Sequence, residues 1–134
     1  MLKELLEKYE SNPFGWGTHD CGLFSADIVL DLKGIDYAES IRGKYTSQDE
    51  FLRIMKDYKC NCYFDLIDKL TGLQRNDWSD KVQPGDFVGI QLDEFPSSQI
   101  LGVNYGDRSY FLTRTSKYLK VPTKSRINKC FWST

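Results

Sequence analysis

The chain has 134 residues, of which 40% are apolar and 14% aromatic, which suits one folded domain with a real core and excludes disorder. Its formal net charge is -1, with lysines and arginines scattered among acids, so a nucleic-acid footprint is not expected. No apolar run approaches the roughly 20 residues that span a bilayer, so membrane insertion is not expected either.

The N-terminal MLKELLEKYE places Leu2, Leu5, Leu6 and Tyr9 on one face of a short helix. It lacks the apolar stretch and small-residue cleavage site of a signal peptide, so a cytoplasm or the inside of a particle is the expected location. SNPFGWGTH follows as a loop, with Pro13, Gly15 and Gly17. Asp20 is a good N-cap for a second helix, CGLFSADIVLDL, that ends at Gly34. Phe24 and Ile28 share one side of that helix, while Leu23 and Leu30 lie on another, so much of it should be buried. Ser47 and Glu50 form a capping box ahead of Phe51, Ile54, Met55 and Tyr58, a third helix. YFDLIDKLTG reads as a fourth, and QRNDWSDKVQPGD as a polar connector.

From Asp86 the pattern changes to short segments rich in β-branched and aromatic residues: FVGIQL, ILGVNY, SYFLT, KYLKV and KCFWS. Four or five strands at this spacing predict an antiparallel meander, and helices followed by a segregated sheet predict an α+β domain over residues 1–134.

Four cysteines (Cys21, Cys60, Cys62 and Cys130) are too few for a dense disulfide framework and read as free thiols in a reducing compartment. Cys21 directly follows the Asp20 cap. There, unpaired N–H groups and the positive helix end favour a thiolate, the nucleophilic form. The bland alternative is a small buried hydrophobe. His19 is the sole imidazole, so any Cys–His dyad within the monomer must use it, although residues two apart at a helix cap tend to diverge. Otherwise His19 is a loop residue that fixes the turn. The Cys60-Asn61-Cys62 spacing matches no common zinc pattern, and no metal or cofactor is expected. Asp86 follows Pro84-Gly85 in a turn where its carboxylate can satisfy backbone donors. Arg42 and Tyr45 have no chemical role in this reading beyond packing or a hydrogen-bonded loop.

Three motifs then occur in order. Asp20-Cys21-Gly22-Leu23-Phe24 lies on a helix, Pro84-Gly85-Asp86-Phe87-Val88 opens a strand, and Leu101-Gly102-Val103-Asn104-Tyr105-Gly106-Asp107 follows. Together they resemble the NlpC-type cell-wall cysteine peptidases, with their D-C-S-G-F-like, P-G-D-L-V-F-like and H-V-G-I-Y-x-G-like motifs. The resemblance implies a compact papain-like α+β fold, with helices packed on a sheet of four to five strands, and cleavage of peptide or amide bonds in peptidoglycan. A nearer resemblance is to small phage-encoded proteins of that superfamily. It rests on Pro13-Phe14-Gly15-Trp16-Gly17 through Phe24, Gly34-Ile35-Asp36, Arg42-Gly43-Lys44-Tyr45 and the late Cys130-Phe131-Trp132. Such proteins are associated with phage tails, which implies tail proteins as partners and a virion or host-cytoplasm location.

Carried onto this sequence, the nucleophile is Cys21, the histidine position is Ile100, and Gly22 replaces the motif serine. No histidine follows Cys21. A catalytic pair would therefore be Cys21 with His19 or with a group from a partner chain, and Trp16, Asp20 and Asn104 are the expected binding residues. Two main functions follow. One is a non-hydrolysing tail or tail-tip domain that keeps the peptidase fold for docking. The other is a cysteine amidase or peptidase acting on peptidoglycan peptides. A small phage protein that binds a host factor is a third class. A missing acid–base group removes about 10²–10⁴ in rate, which favours the first.

Overall fold

Side-chain caps start two of the helices, the second and the third, in the computed structural model, which describes residues 2–91, 99–113 and 117–134. The first helix, α1 (Leu2–Glu10), buries Tyr9, with Leu2, Leu5 and Leu6 packed on the same core. In α2 (Cys21–Lys33), Asp20 Oδ1 accepts the Leu23 N–H at 2.9 Å, and Gly34 closes the helix at φ 74°. In α3 (Gln48–Asp57), Ser47 Oγ accepts the Glu50 N–H at 3.1 Å, while the Glu50 carboxylate returns to the Thr46 N–H at 3.0 Å. The Ser47–Glu50 bond is the one expected of the capping box, and only the return bond is displaced, by one residue, to Thr46. The fourth helix, α4 (Tyr63–Thr71), ends at Gly72.

Six antiparallel strands follow: β1 (Arg75–Asp77), β2 (Phe87–Gln91), β3 (Gln99–Asn104), β4 (Arg108–Leu112), β5 (Tyr118–Pro122) and β6 (Asn128–Trp132). Their order in the open sheet is β1-β6-β2-β3-β4-β5. The α+β class is as expected, but two sheet expectations are corrected. The connector contributes a strand, β1, which pairs with the end of β6 through Arg75↔Trp132 and Asp77↔Cys130. The sheet therefore has six strands rather than four or five. It is also not a simple meander: β2 to β5 run in order, and β6 then returns to lie between β2 and β1. Leu92, the last residue of the expected FVGIQL strand, and Met1 of the first helix lie outside the described residues.

Strand alternation divides the apolar residues between the two faces. Phe87, Leu101, Val103 and Trp132 join Phe24, Ile28 and Phe64 on the helical side. Val88, Ile90, Phe111 and Phe131 form a second cluster, against which Ile100 and Trp78 pack. A third cluster fills the far side of α2, where Leu23 and Ala26 meet Ala38, Ile41, Tyr45, Phe51 and Leu66. Helix α2 is thus packed on two sides, as its apolar content predicts, but Leu30 is 39% exposed and belongs to neither.

Candidate functional site

The loop ahead of α2 is shaped around a buried carboxylate. Asp20 is 3% exposed, and its Oδ2 accepts the Gly17 N–H at 2.9 Å and the Tyr45 hydroxyl. With Leu23 N–H on Oδ1, this carboxylate has three donors and no salt-bridged cation among the described residues. Burial and the Asp20 charge together push the Tyr45 hydroxyl well above the usual phenol range, so it remains a donor. Gly17 has φ 80°, and a Cβ there would come within 1.8 Å of the Tyr45 carbonyl oxygen. Only glycine fits. Asp20, expected among binding residues, is occupied by the protein itself.

Cys21 opens α2 as expected, but its surroundings are not those of a nucleophile. Its Sγ lies 3.8 Å from the Tyr63 hydroxyl. The residue keeps some exposure, yet burial of the sulfur, followed by the adjacent Asp20 charge, pushes the thiol up to about 11. Hydrogen bonds from Tyr63 and the backbones of Leu101 and Gly22 pull the other way without reversing it. Against these, the helix end contributes too little to leave a thiolate at neutral pH. Gly22 explains itself in the same geometry: a Cβ there would come within 2.7 Å of the Tyr63 hydroxyl. Beside it, between α2 and α4, lies an apolar cavity of about 30 Å³ bounded by Gly22, Ala26, Tyr45 and Tyr63. It has room for about one water, far below a substrate pocket.

His19 is engaged by Tyr9 and Gly15. Its ring packs edge-on against Tyr9 at 5.2 Å between centroids, and its backbone exchanges hydrogen bonds with Gly15. Ile100 packs in the cluster with Val88 and Ile90, on the sheet face opposite the core that Cys21 joins. Trp16 meets Phe14 edge-on and Phe51 in a tilted contact, at 5.3 and 5.5 Å between centroids. Asn104 is 1% exposed and is the last residue of β3. There its side chain bonds Ser109 Oγ, Thr123 Oγ1 and the Gly106 N–H at 3.0–3.2 Å. Its backbone meanwhile locks Gly85 and Asp86 of the P-G-D turn. Asp86 holds the Gln83 and Thr134 N–H groups at 2.8 and 3.0 Å. Among the described residues, no group of three or more His, Cys, Asp or Glu side chains is placed to hold a metal ion. None of the described helices is long and apolar enough to cross a membrane.

Residues 1–132 match a family described as a domain of unknown function, DUF6950. The chain belongs to that family. No curated protein and no solved structure matches it.

In this DUF6950 domain the sequence reading missed a second polar cluster, on the flank of α2. Arg42 spans two acids: its Nη2 donates to Asp27 Oδ1 at 2.6 Å, and its Nε donates to Asp36 Oδ2 at 2.8 Å. The Tyr9 hydroxyl donates to the other Asp27 oxygen at 2.6 Å. Arg42 and Tyr45 therefore tie the 35–45 segment to α2 at two points, and α1 joins through Tyr9. The available signal was the run Asp36, Arg42, Tyr45 in a loop without periodicity, where polar residues held for structure look like any solvated loop. Tyr63 was missed because it reads as part of an apolar helical face.

Proposed function

We propose that this chain is a non-hydrolysing docking domain of the NlpC-type, papain-like superfamily, acting as a component of a phage tail or tail tip. One observation carries the reading of lost hydrolysis: the Cys21 thiol is pushed up to about 11, and its polar neighbour is a tyrosine hydroxyl rather than an imidazole. Such a thiol is protonated at neutral pH, and the Tyr63 hydroxyl, held well above the usual phenol range by burial, cannot take its proton as an imidazole would. The papain-like assignment is supported by the order of the three motifs and by α2, which packs its first turns on β3. Ser25 Oγ there bonds both the Cys21 and Leu101 carbonyls, at 3.0 and 3.2 Å. The tail association rests on the resemblance to small phage proteins.

The test is incubation of the purified chain with peptidoglycan sacculi, beside production of phage carrying Cys21→Ser. No thiol-dependent release and intact tail assembly are expected. Release that disappears in Cys21→Ser would overturn the reading, and so would failed assembly with a folded Cys21→Ser protein. The second reading, an amidase or peptidase acting through Cys21 on peptidoglycan peptides, draws on the cysteine kept at the start of a capped helix.

A further inference from the structure

Helix α4 begins without a cap of its own. Cys62 has the extended backbone of an N-cap, φ -147° and ψ 167°, but its side chain makes no capping bond. The bond comes from the sheet instead, where Gln99 Oε1 accepts the Phe64 N–H at 3.0 Å across 35 residues. Phe64 is 5% exposed, so water is not a ready substitute. The residue before it, Tyr63, carries the hydroxyl that lies 3.8 Å from Cys21 Sγ and closes over Gly22.

We propose that Gln99 is a positioning residue for the Cys21 site: from β3 it caps α4 and so holds the Tyr63 hydroxyl over the thiol. The inference is independent of what the domain docks against and of whether Cys21 turns over a substrate. A cap is worth about 1 kcal/mol to a helix, and Tyr63 sits in the very turn the cap secures. Loss of the bond frays that turn, lifts the ring and admits water to the sulfur. Burial is the largest influence keeping that thiol protonated, so hydration outweighs the lost tyrosine bond.

The experiment is iodoacetamide alkylation of Cys21 at pH 8, in a parent carrying Cys60→Ser, Cys62→Ala and Cys130→Ala. Alanine is used at position 62 because serine there supplies a cap. Adding Gln99→Met, similar in length but without an acceptor, should raise the rate about tenfold, the change that one unit of thiol pKa gives. Gln99→Glu, which keeps the acceptor, should leave the rate within about twofold of the parent, as should Cys62→Ser in the Gln99→Met chain, because both return a cap to α4. Should Gln99→Met not fold, Gln99→Asn, one methylene too short, is expected to show the same rise and the same rescue. An unchanged rate in the folded variant, or a rise that Cys62→Ser does not reverse, would overturn the proposal.

Discussion

The Tyr45 hydroxyl donates to the same Asp20 carboxylate that caps the helix of Cys21, across 25 residues of chain. The motif acid, expected beside a nucleophile, is thus a buried post around which the loop, the helix start and the 35–45 segment are tied. Asp20→Ala removes a cap and strands the Tyr45 hydroxyl and the Gly17 N–H, which should cost on the order of 3 kcal/mol. Tyr45→Phe leaves both backbone bonds in place and should cost about 1 kcal/mol. Urea unfolding of the two variants checks the order.

Gly17 and Gly34 both have positive φ, at 80° and 74°, but differ in what surrounds them. A Cβ at Gly34 meets nothing within 4 Å, whereas at Gly17 it meets the Tyr45 backbone. Gly34→Ala should cost about 1 kcal/mol, the conformational penalty alone. Gly17→Ala should cost at least about 3 kcal/mol, because backbone has to move. Equal losses in thermal unfolding would refute the close approach at Gly17.

Asp36 titrates below the usual carboxylate range. Its partial burial acts to raise the pKa, but the Arg42 hydrogen bond, the Ala38 N–H and the Arg42 charge together outweigh it. A carboxyl with a lowered folded-state pKa adds stability that is present above the unfolded value of about 3.9 and lost as pH falls through the folded value. Asp36→Asn should therefore destabilise by about 1.5 kcal/mol at pH 7, a figure suited to a half-buried charged hydrogen bond. The gap between variant and wild type should begin to narrow near pH 4 and go on shrinking as pH falls through the lowered folded value. A gap that does not narrow at all between about pH 5 and pH 2 would assign the effect to packing.

Ile100→His places a histidine where the peptidases that the motifs resemble carry one. Because Ile100 packs with Val88 and Ile90 rather than on the Cys21 side, the imidazole should leave Cys21 alkylation unchanged. It should also cost about 1–3 kcal/mol by placing a polar ring in an apolar cluster. Thiol-dependent amide cleavage by this variant would show that the strand side chain reaches Cys21.

Three helices were legible because an end of each is written locally, in Asp20 and Gly34, in Ser47 with Glu50, and in Gly72, and α1 was legible from the spacing of Leu2, Leu5, Leu6 and Tyr9. Five strands were legible from β-branched and aromatic runs. The sixth, Arg75-Asn76-Asp77, carries no apolar residue, because an edge strand pairing on one side only needs backbone bonds and not a core-facing side chain. The place of β6 was equally hidden, being a pairing between distant segments that no local pattern encodes. At the site, the nucleophile position was read from the motif, but its chemistry depends on burial and on Tyr63, 42 residues away. Gly22 was the one local sign, a glycine where the motif has serine, and its reason became visible only once the Tyr63 hydroxyl stood over it.

The most direct measurement is the pH profile of Cys21 alkylation in the chain with Cys60→Ser, Cys62→Ala and Cys130→Ala, with and without His19→Ala. A midpoint near 11, the same in both chains, is the expected result for a buried thiol with a tyrosine partner. A midpoint at or below the ordinary value of about 8.5, rising when His19 is removed, would contradict it and establish a working Cys–His pair.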